Sequence, residues 1–184
     1  MINLITNCPR CIHYEHRYSD IEYIVVHYPG NTATALNQAK YYSRCSRVVS
    51  AHFVVDSDGS VYQTLGCNLS AYHVVSSKKC TNKNSIGIDL CALKLNTSSN
   101  KASDDDWYHS DMCMNSAAQL VSFLMNKYNI PIYRVLRHND VTGKICPASM
   151  CGRKKNKYYG VSGDDVWIKF KGMILNAGKV NNHE

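Results

Sequence analysis

Two histidines and a cysteine in this chain stand where one metal ion could collect them. His27 closes the apolar run EYIVVHY, His138 closes IYRVLRH, and Cys146 follows after seven intervening residues in RHNDVTGKICP. Two imidazole nitrogens and a thiolate form a zinc-type donor set, and three protein ligands leave a fourth position for water. Lys144 puts a cation two residues before the cysteine. The run VTG interrupts this segment, which therefore reads as a loop and not as one helix. Spacing alone leaves two readings open, because a histidine at a strand end is commonly a satisfied or solvent-facing side chain.

The elements that must position these residues follow from patterning. Residues 22–28 are rich in β-branched and aromatic side chains and predict a buried strand, ended by PGN. Residues 34–44 predict a helix with Ala35, Ala39 and Tyr42 near one face. SAHFVVD and SVYQTL flank the turn SDG and predict a hairpin. Residues 84–93, NSIGIDLCAL, predict a further buried strand carrying Asp89, with Cys91 as a core thiol. The polar stretch 96–110 contains Asp104, Asp105 and Asp106 and is expected to be an exposed loop leading to a helix cap. A helix over about 112–128 follows, with Ala117, Leu120, Val121, Leu124, Met125 and Tyr128 as its core face. IYRVLRH predicts the strand that delivers His138. A last helix starts near Asp164 and turns Val166, Trp167, Phe170, Met173 and Ile174 inward. Strands and helices alternate without a regular βαβ rhythm, so the expected class is α/β, a single mixed β-sheet flanked by helices. The expected division is an N-terminal arm over 1–19, one catalytic domain over 20–175, and a disordered tail or truncated linker over 176–184.

Composition sets the outer bounds. A chain of 184 residues, 45% hydrophobic and 19% charged, is long enough to bury one real core. No apolar run approaches the ~20 residues of a membrane span, and MINLITNCPRCIH lacks the pattern of a secretory signal. A net charge of +7 suits a polyanion: nucleic acid, an acidic membrane face or an anionic cell wall. No paired CxxC units and no basic helix support a nucleic-acid reader. Nine cysteines without a secretion signal are expected to be reduced. CPRCIHYEH places Cys8, Cys11, His13 and His16 within nine residues. It reads as an accessory metal site, a redox pair or a flexible arm. GRKKNKYYG, 152–160, reads as a solvated basic loop, or as one that touches anionic wall polymers or glycan.

Four landmarks in order carry a family resemblance: IVVHYPGN; SAHFVVDSDGSVYQ; AYHVVSS followed by NSIGIDL; and RHNDVTGKICP. Over roughly residues 20–150 the chain resembles the zinc-dependent N-acetylmuramoyl-L-alanine amidases of the phage endolysin and peptidoglycan recognition protein type. The likeness is strongest to amidase domains of phage or prophage lysins that act on Gram-positive hosts. The resemblance implies one Zn2+ held by His27, His138 and Cys146. It implies cleavage of the amide between N-acetylmuramic acid and the L-alanine of the stem peptide in bacterial peptidoglycan. It implies catalytic roles for Lys144, as a cation on the oxyanion, and for Asp89, as general base and acid where many relatives carry glutamate. A branch of the family uses a tyrosine just before the histidine of the second strand, but Ala51 stands there in SAHF. His73 and Tyr72 match residues that line the substrate cleft, with His73 a donor to the substrate carbonyl or the developing oxyanion. His52 reads as structural. A lysin would collect in the host cytoplasm and reach the wall at lysis. The other reading of the same fold is a non-catalytic peptidoglycan-binding module, which typically lacks the cysteine ligand.

Overall fold

The computed structural model describes residues 2–74 and 79–180. Residues 75–77 of the AYHVVSS landmark and the last four residues, His183 among them, lie outside the described residues. In chain order the elements are β1 (Leu4–Ile5), β2 (Tyr14–His16), β3 (Tyr23–His27), α1 (Ala35–Tyr42), β4 (Phe53–Val55), β5 (Val61–Gln63), β6 (Leu69–Ala71), β7 (Ser85–Leu90), β8 (Leu93–Lys94), β9 (Trp107–Tyr108), α2 (Asp111–Tyr128), β10 (Val135–Arg137), α3 (His138–Thr142) and α4 (Gly163–Val180). Six strands form one sheet in the order β1-β5-β4-β7-β3-β10. Only β4 and β5 pair antiparallel within it, as the expected hairpin, and the other pairs are parallel. The mixed sheet with flanking helices is the α/β arrangement read from the sequence. Gly59 makes the hairpin turn at φ 85°, where α2 also passes so close that a Cβ would stand 2.8 Å from Ser116 Oγ.

Side chains on a strand alternate between faces, and that parity divides the central strands. Ile24 and Val26 of β3, Ile86, Ile88 and Leu90 of β7, and Phe53 and Val55 of β4 point to one face. There they meet Ala117, Leu120, Val121 and Leu124 of α2 and Val166, Trp167, Phe170 and Ile174 of α4. These are the helix faces read from the periodicity. Each fully buried aliphatic or aromatic side chain contributes about 1.5–3 kcal/mol, so this face supplies most of the stability. The opposite face of β3 and β7 carries Val25 and His27, and Ser85, Gly87 and Asp89, with α1 packed across its end.

Helix α2 begins at Ser110, whose hydroxyl accepts from Cys113 N at 3.1 Å, and ends at Asn129 with φ 54°. Both are standard solutions for the unpaired groups at helix ends.

Three expectations need correction. The first 19 residues are no loose arm: Leu4–Ile5 pairs with β5 at the sheet edge, Tyr14–His16 pairs with β6, and Cys11 is buried. The anchor is Arg17. Its guanidinium donates to Cys67 O at 2.9 Å, Leu69 O at 2.9 Å, Ser85 O at 2.8 Å and to Lys83 O. Nor does a disordered tail start at residue 176. Helix α4 runs on to Val180, and glycine at 178 suits its packing on α2, since a Cβ there would stand 3.0 Å from Ser122 Oγ. Finally, the acidic run is not a free loop. Asp104 and Asp106 clamp the buried Lys94 ammonium at 2.8 and 2.6 Å, and Asp105 pairs with Lys154 and Lys157 at 2.8 and 3.1 Å. Opposite charges thus fold the basic 152–160 loop back onto the acidic one, with two of its four cations sharing one carboxylate.

Arg17→Ala would strip several half-buried carbonyls of their donors, at about 1–3 kcal/mol for each that water cannot reach. We expect a loss of about 2–4 kcal/mol in urea unfolding. A variant as stable as the parent would show that the N-terminal segment is only laid on the surface.

Candidate metal centre and catalytic cleft

His27 is the last residue of β3 and its parity turns it away from the helical core. His138 opens α3 directly after β10, the neighbouring parallel strand. Arg137 secures that junction. Its backbone N–H and guanidinium bind Asp140, and the guanidinium also reaches Asp164 at 2.7 Å and Met150 O at 2.5 Å. Gly143, at φ 78°, stops α3 after one turn and sends the chain back. Asn139 staples the return: its N–H donates to Cys146 O at 3.0 Å and its amide to Lys144 O at 2.9 Å. Cys146 is thereby carried back beside His138. The VTG interruption seen in the sequence is the bend that makes this possible.

The candidate ligand atoms of His27, His138 and Cys146 lie within 4.8 Å of one another, and all three residues are buried. His27 Nδ1 stands 3.1 Å from His138 Nδ1 and 3.9 Å from Cys146 Sγ. Tetrahedral zinc with its usual bond lengths separates N and N by ~3.4 Å and N and S by ~3.6 Å. The donor set and its spacing therefore fit such an ion. Burial, then the neighbouring histidines and Lys144, hold His27 well below the usual imidazole range. Burial followed by Lys144 brings His138 down to about 4. Both rings are neutral at pH 7 and can donate lone pairs. Burial also pushes the Cys146 thiol up to about 12, so without a cation it keeps its proton.

A hydrogen-bond relay sets which nitrogen His27 offers. Ser85 Oγ donates to Thr81 O, so it can only accept from His73 Nε2, 3.1 Å away. With its proton on Nε2, His73 has only Nδ1 left to accept, and His27 Nε2 lies 3.0 Å from it. His27 is then protonated at Nε2 and bare at Nδ1, the atom that faces His138 and Cys146. Outer partners of this kind fix the orientation and tautomer of metal-binding imidazoles. Gly87 makes room for the relay, since a Cβ there would come within 2.5 Å of His73 Cγ. His52 supports it from behind, accepting from Gly87 N at 3.0 Å through Nδ1 and donating to Leu69 O at 3.0 Å through Nε2. That is the structural place expected for His52.

The triad opens into a cavity of about 350 Å3 that Asp89, Lys144, His73, Tyr42 and Arg47 also line. Asp89 pairs in register with His27 across β3 and β7. Burial lifts its carboxyl to about 6, against a hydrogen bond from Tyr42 that lowers it. Lys144 makes no ion pair among the described residues and lies at the cavity wall. Six residues expected from the sequence thus line one cavity: His27, His138, Cys146, Asp89, Lys144 and His73.

The remaining expectations fared differently. His73 lines the cavity, but both its ring nitrogens are engaged, leaving no N–H for a substrate. Tyr72 binds Ser50 Oγ through its backbone N–H and does not line the cavity. The N-terminal cysteines and histidines point apart: Cys8 Sγ to Gln63 O, Cys11 Sγ to Ala51 O and His13 Nε2 to Cys45 O. Among the described residues, only His27, His138 and Cys146 group as three candidate ligands. Three site residues escape the sequence reading. Ser85 and Gly87 share the parity of Asp89 in SIGID, a pattern that was available. Tyr42 was read only as part of an apolar face. No helix among the described residues is long and apolar enough to cross a membrane.

Residues 17–149 match the family model described as N-acetylmuramoyl-L-alanine amidase. The chain is 29% identical over 167 residues to the amidase CwlL of Bacillus licheniformis, covering 80% of this chain and 42% of that protein. It is 33% identical over 127 residues to CwlA of Bacillus subtilis strain 168, covering 68% of this chain and 43% of that protein. This chain thus spans less than half the length of either relative. A solved mutant endolysin from Bacillus subtilis superposes with a TM-score of 0.67 at 26% identity, over 95% of this chain and 99% of that one. With the family model matching most of its length and the same fold in an endolysin, this chain belongs to the N-acetylmuramoyl-L-alanine amidase family.

Proposed function

We propose that this chain is a zinc-dependent amidase that hydrolyses the bond between the lactyl group of N-acetylmuramic acid and the L-alanine of the peptidoglycan stem peptide. The observation that carries this is the buried His27, His138 and Cys146 triad sharing one cavity with Asp89 and Lys144. A bound zinc supplies Lewis acidity to the attacking water and the scissile carbonyl.

The chain's own residues supply the rest. His27 and His138, neutral at working pH, and Cys146, as thiolate, hold the ion. Asp89, with its carboxyl near 6, is ionised at pH 7 yet basic enough to take the water's proton and return it to the leaving amine. Lys144 places a fixed cation for the oxyanion of the tetrahedral intermediate. Water adds to the carbonyl carbon, the C–N bond breaks, and the products are a lactyl carboxylate and a free α-amino group on L-alanine. The cysteine ligand argues against the binding-only module. A phage or prophage lysin, made in the host cytoplasm and acting on the wall at lysis, is the setting we assign. Contact of the 152–160 loop with anionic wall polymers would rest on Arg153 and Lys155, since Lys154 and Lys157 are paired.

The test is incubation with purified Gram-positive peptidoglycan, with and without a chelator. We expect chelator-sensitive release of N-terminal L-alanine and no new reducing sugar ends. Wall binding without release would leave only the recognition module. Lys144→Met should lower kcat by about 10²–10³, whereas Cys146→Ser should lose the ion and stay folded by circular dichroism.

Zinc uptake should release about one proton per ion at pH 6–8. The proton comes from the Cys146 thiol, because both histidines are already neutral there. Affinity should therefore rise about tenfold per pH unit, read by calorimetry in buffers of different ionisation enthalpy. A pH-independent affinity would show that Cys146 does not bind as thiolate.

Ser85→Ala removes the acceptor that sets the His73 tautomer. We expect zinc affinity to fall about 10-fold in competition with a chromogenic chelator. Unchanged affinity would mean that the relay does not act on His27.

A further inference from the structure

Tyr42 ends α1 and is 4% exposed, its ring packed with Ala35, Ala51, Val54 and Cys91 on the site face of the sheet. Its hydroxyl donates to Asp89 Oδ2. Gln38, one turn earlier and also buried, approaches the same hydroxyl. This is the one hydrogen bond the Asp89 carboxylate makes among the described residues, and its Oδ1 has no partner there. Both residues line the cavity with His27, His138, Cys146 and Lys144. The terminal torsion of an aspartate is broad and roughly two-fold, so an unanchored carboxylate would sample many orientations.

We propose that Tyr42 is a positioning residue for the reaction: its hydroxyl occupies one oxygen of Asp89 and so presents the other to the reacting water and amine. This rests on the amidase reading above. It gives α1 a chemical task, because the helix end carries the anchor of the proton-transferring group. The anchor acts on turnover and not on binding. A carboxylate misaligned by an ångström can cost about 10² in rate with the substrate and metal sites untouched.

The test is a double-mutant cycle on the zinc-loaded full chain with peptidoglycan fragments. Tyr42→Phe keeps the ring and should lower kcat 10- to 100-fold, with KM and zinc affinity within twofold of the parent. In an Asp89→Asn background the same change should cost less than twofold. Unchanged kcat in Tyr42→Phe, or an equal loss in both backgrounds, overturns the proposal. A second readout does not need turnover. The side-chain carboxyl 13C resonance of Asp89, assigned through Asp89→Asn, should titrate at higher pH in Tyr42→Phe. With 3-fluorotyrosine at position 42, a stronger donor of nearly the same shape, it should titrate at lower pH, an answer that stands even if Tyr42→Phe does not fold. An Asp89 resonance indifferent to both changes overturns the proposal. A parent protein that frees no L-alanine overturns the amidase reading instead, and the resonance still decides whether Tyr42 governs Asp89.

Discussion

The pairing of β3 with β7 is the constraint on which the rest of this molecule depends. Their parallel register sets Ile24 beside Ile86, Val26 beside Ile88 and His27 beside Asp89. Because strand side chains alternate, one pairing serves two purposes. Its even face buries Ile and Val under α2 and α4, and its odd face carries Ser85 and Gly87 behind His73 and presents Asp89 and His27 to the cleft. A register slip of one residue would move His27 and Asp89 into the apolar core and would cost both the core and the site. The polar groups of the cleft are therefore held in place by apolar packing on the other side of the same strands.

Two devices convert that scaffold into a site. One is the loop from Gly143 to Cys146, closed by Asn139 and anchored through Arg137, which returns the thiol to the histidines. The other is the chain Thr81, Ser85, His73, His27, in which each donor is fixed by the one before it. Neither adds much stability, since a typical hydrogen bond contributes about 1 kcal/mol net. What they add is orientation. The same holds at Asp89, whose burial opposes ionisation while Tyr42 favours it. The aspartate's terminal torsion is broad, so the direction of its carboxylate depends on a partner such as Tyr42.

Away from the cleft, charge decides the surface. The acidic run at 104–106 and the cations of 152–160 lie far apart in sequence, yet they meet as ion pairs and a buried lysine clamp. The net charge of +7 is thus not spread evenly over a basic loop. Arg17 acts similarly at the other end, drawing the first strands onto the sheet by satisfying carbonyls of the segments around β6 and β7.

What was legible in the sequence was whatever depends on local periodicity and on side-chain chemistry. The buried strands YIVVH and SIGIDL, the hairpin at Asp58–Gly59 and the core faces of α2 and α4 follow from alternation, turn residues and 3.6-residue spacing. The ligand-type residues followed from their chemistry and from four ordered landmarks. Tertiary structure decided everything that needed two distant segments to meet. Arg17 has no partner until β6 and β7 exist, so 1–19 looked like an arm. Cys8, Cys11, His13 and His16 read as one cluster because they are near in sequence, but the chain turns Cys8, Cys11 and His13 toward three different carbonyls. The landmark placed His73 at the cleft, but neither its relay nor the bond of Tyr42 to Asp89 left a local mark. His73 meets His27 and Ser85, and Tyr42 meets Asp89, only when the sheet and α1 pack together.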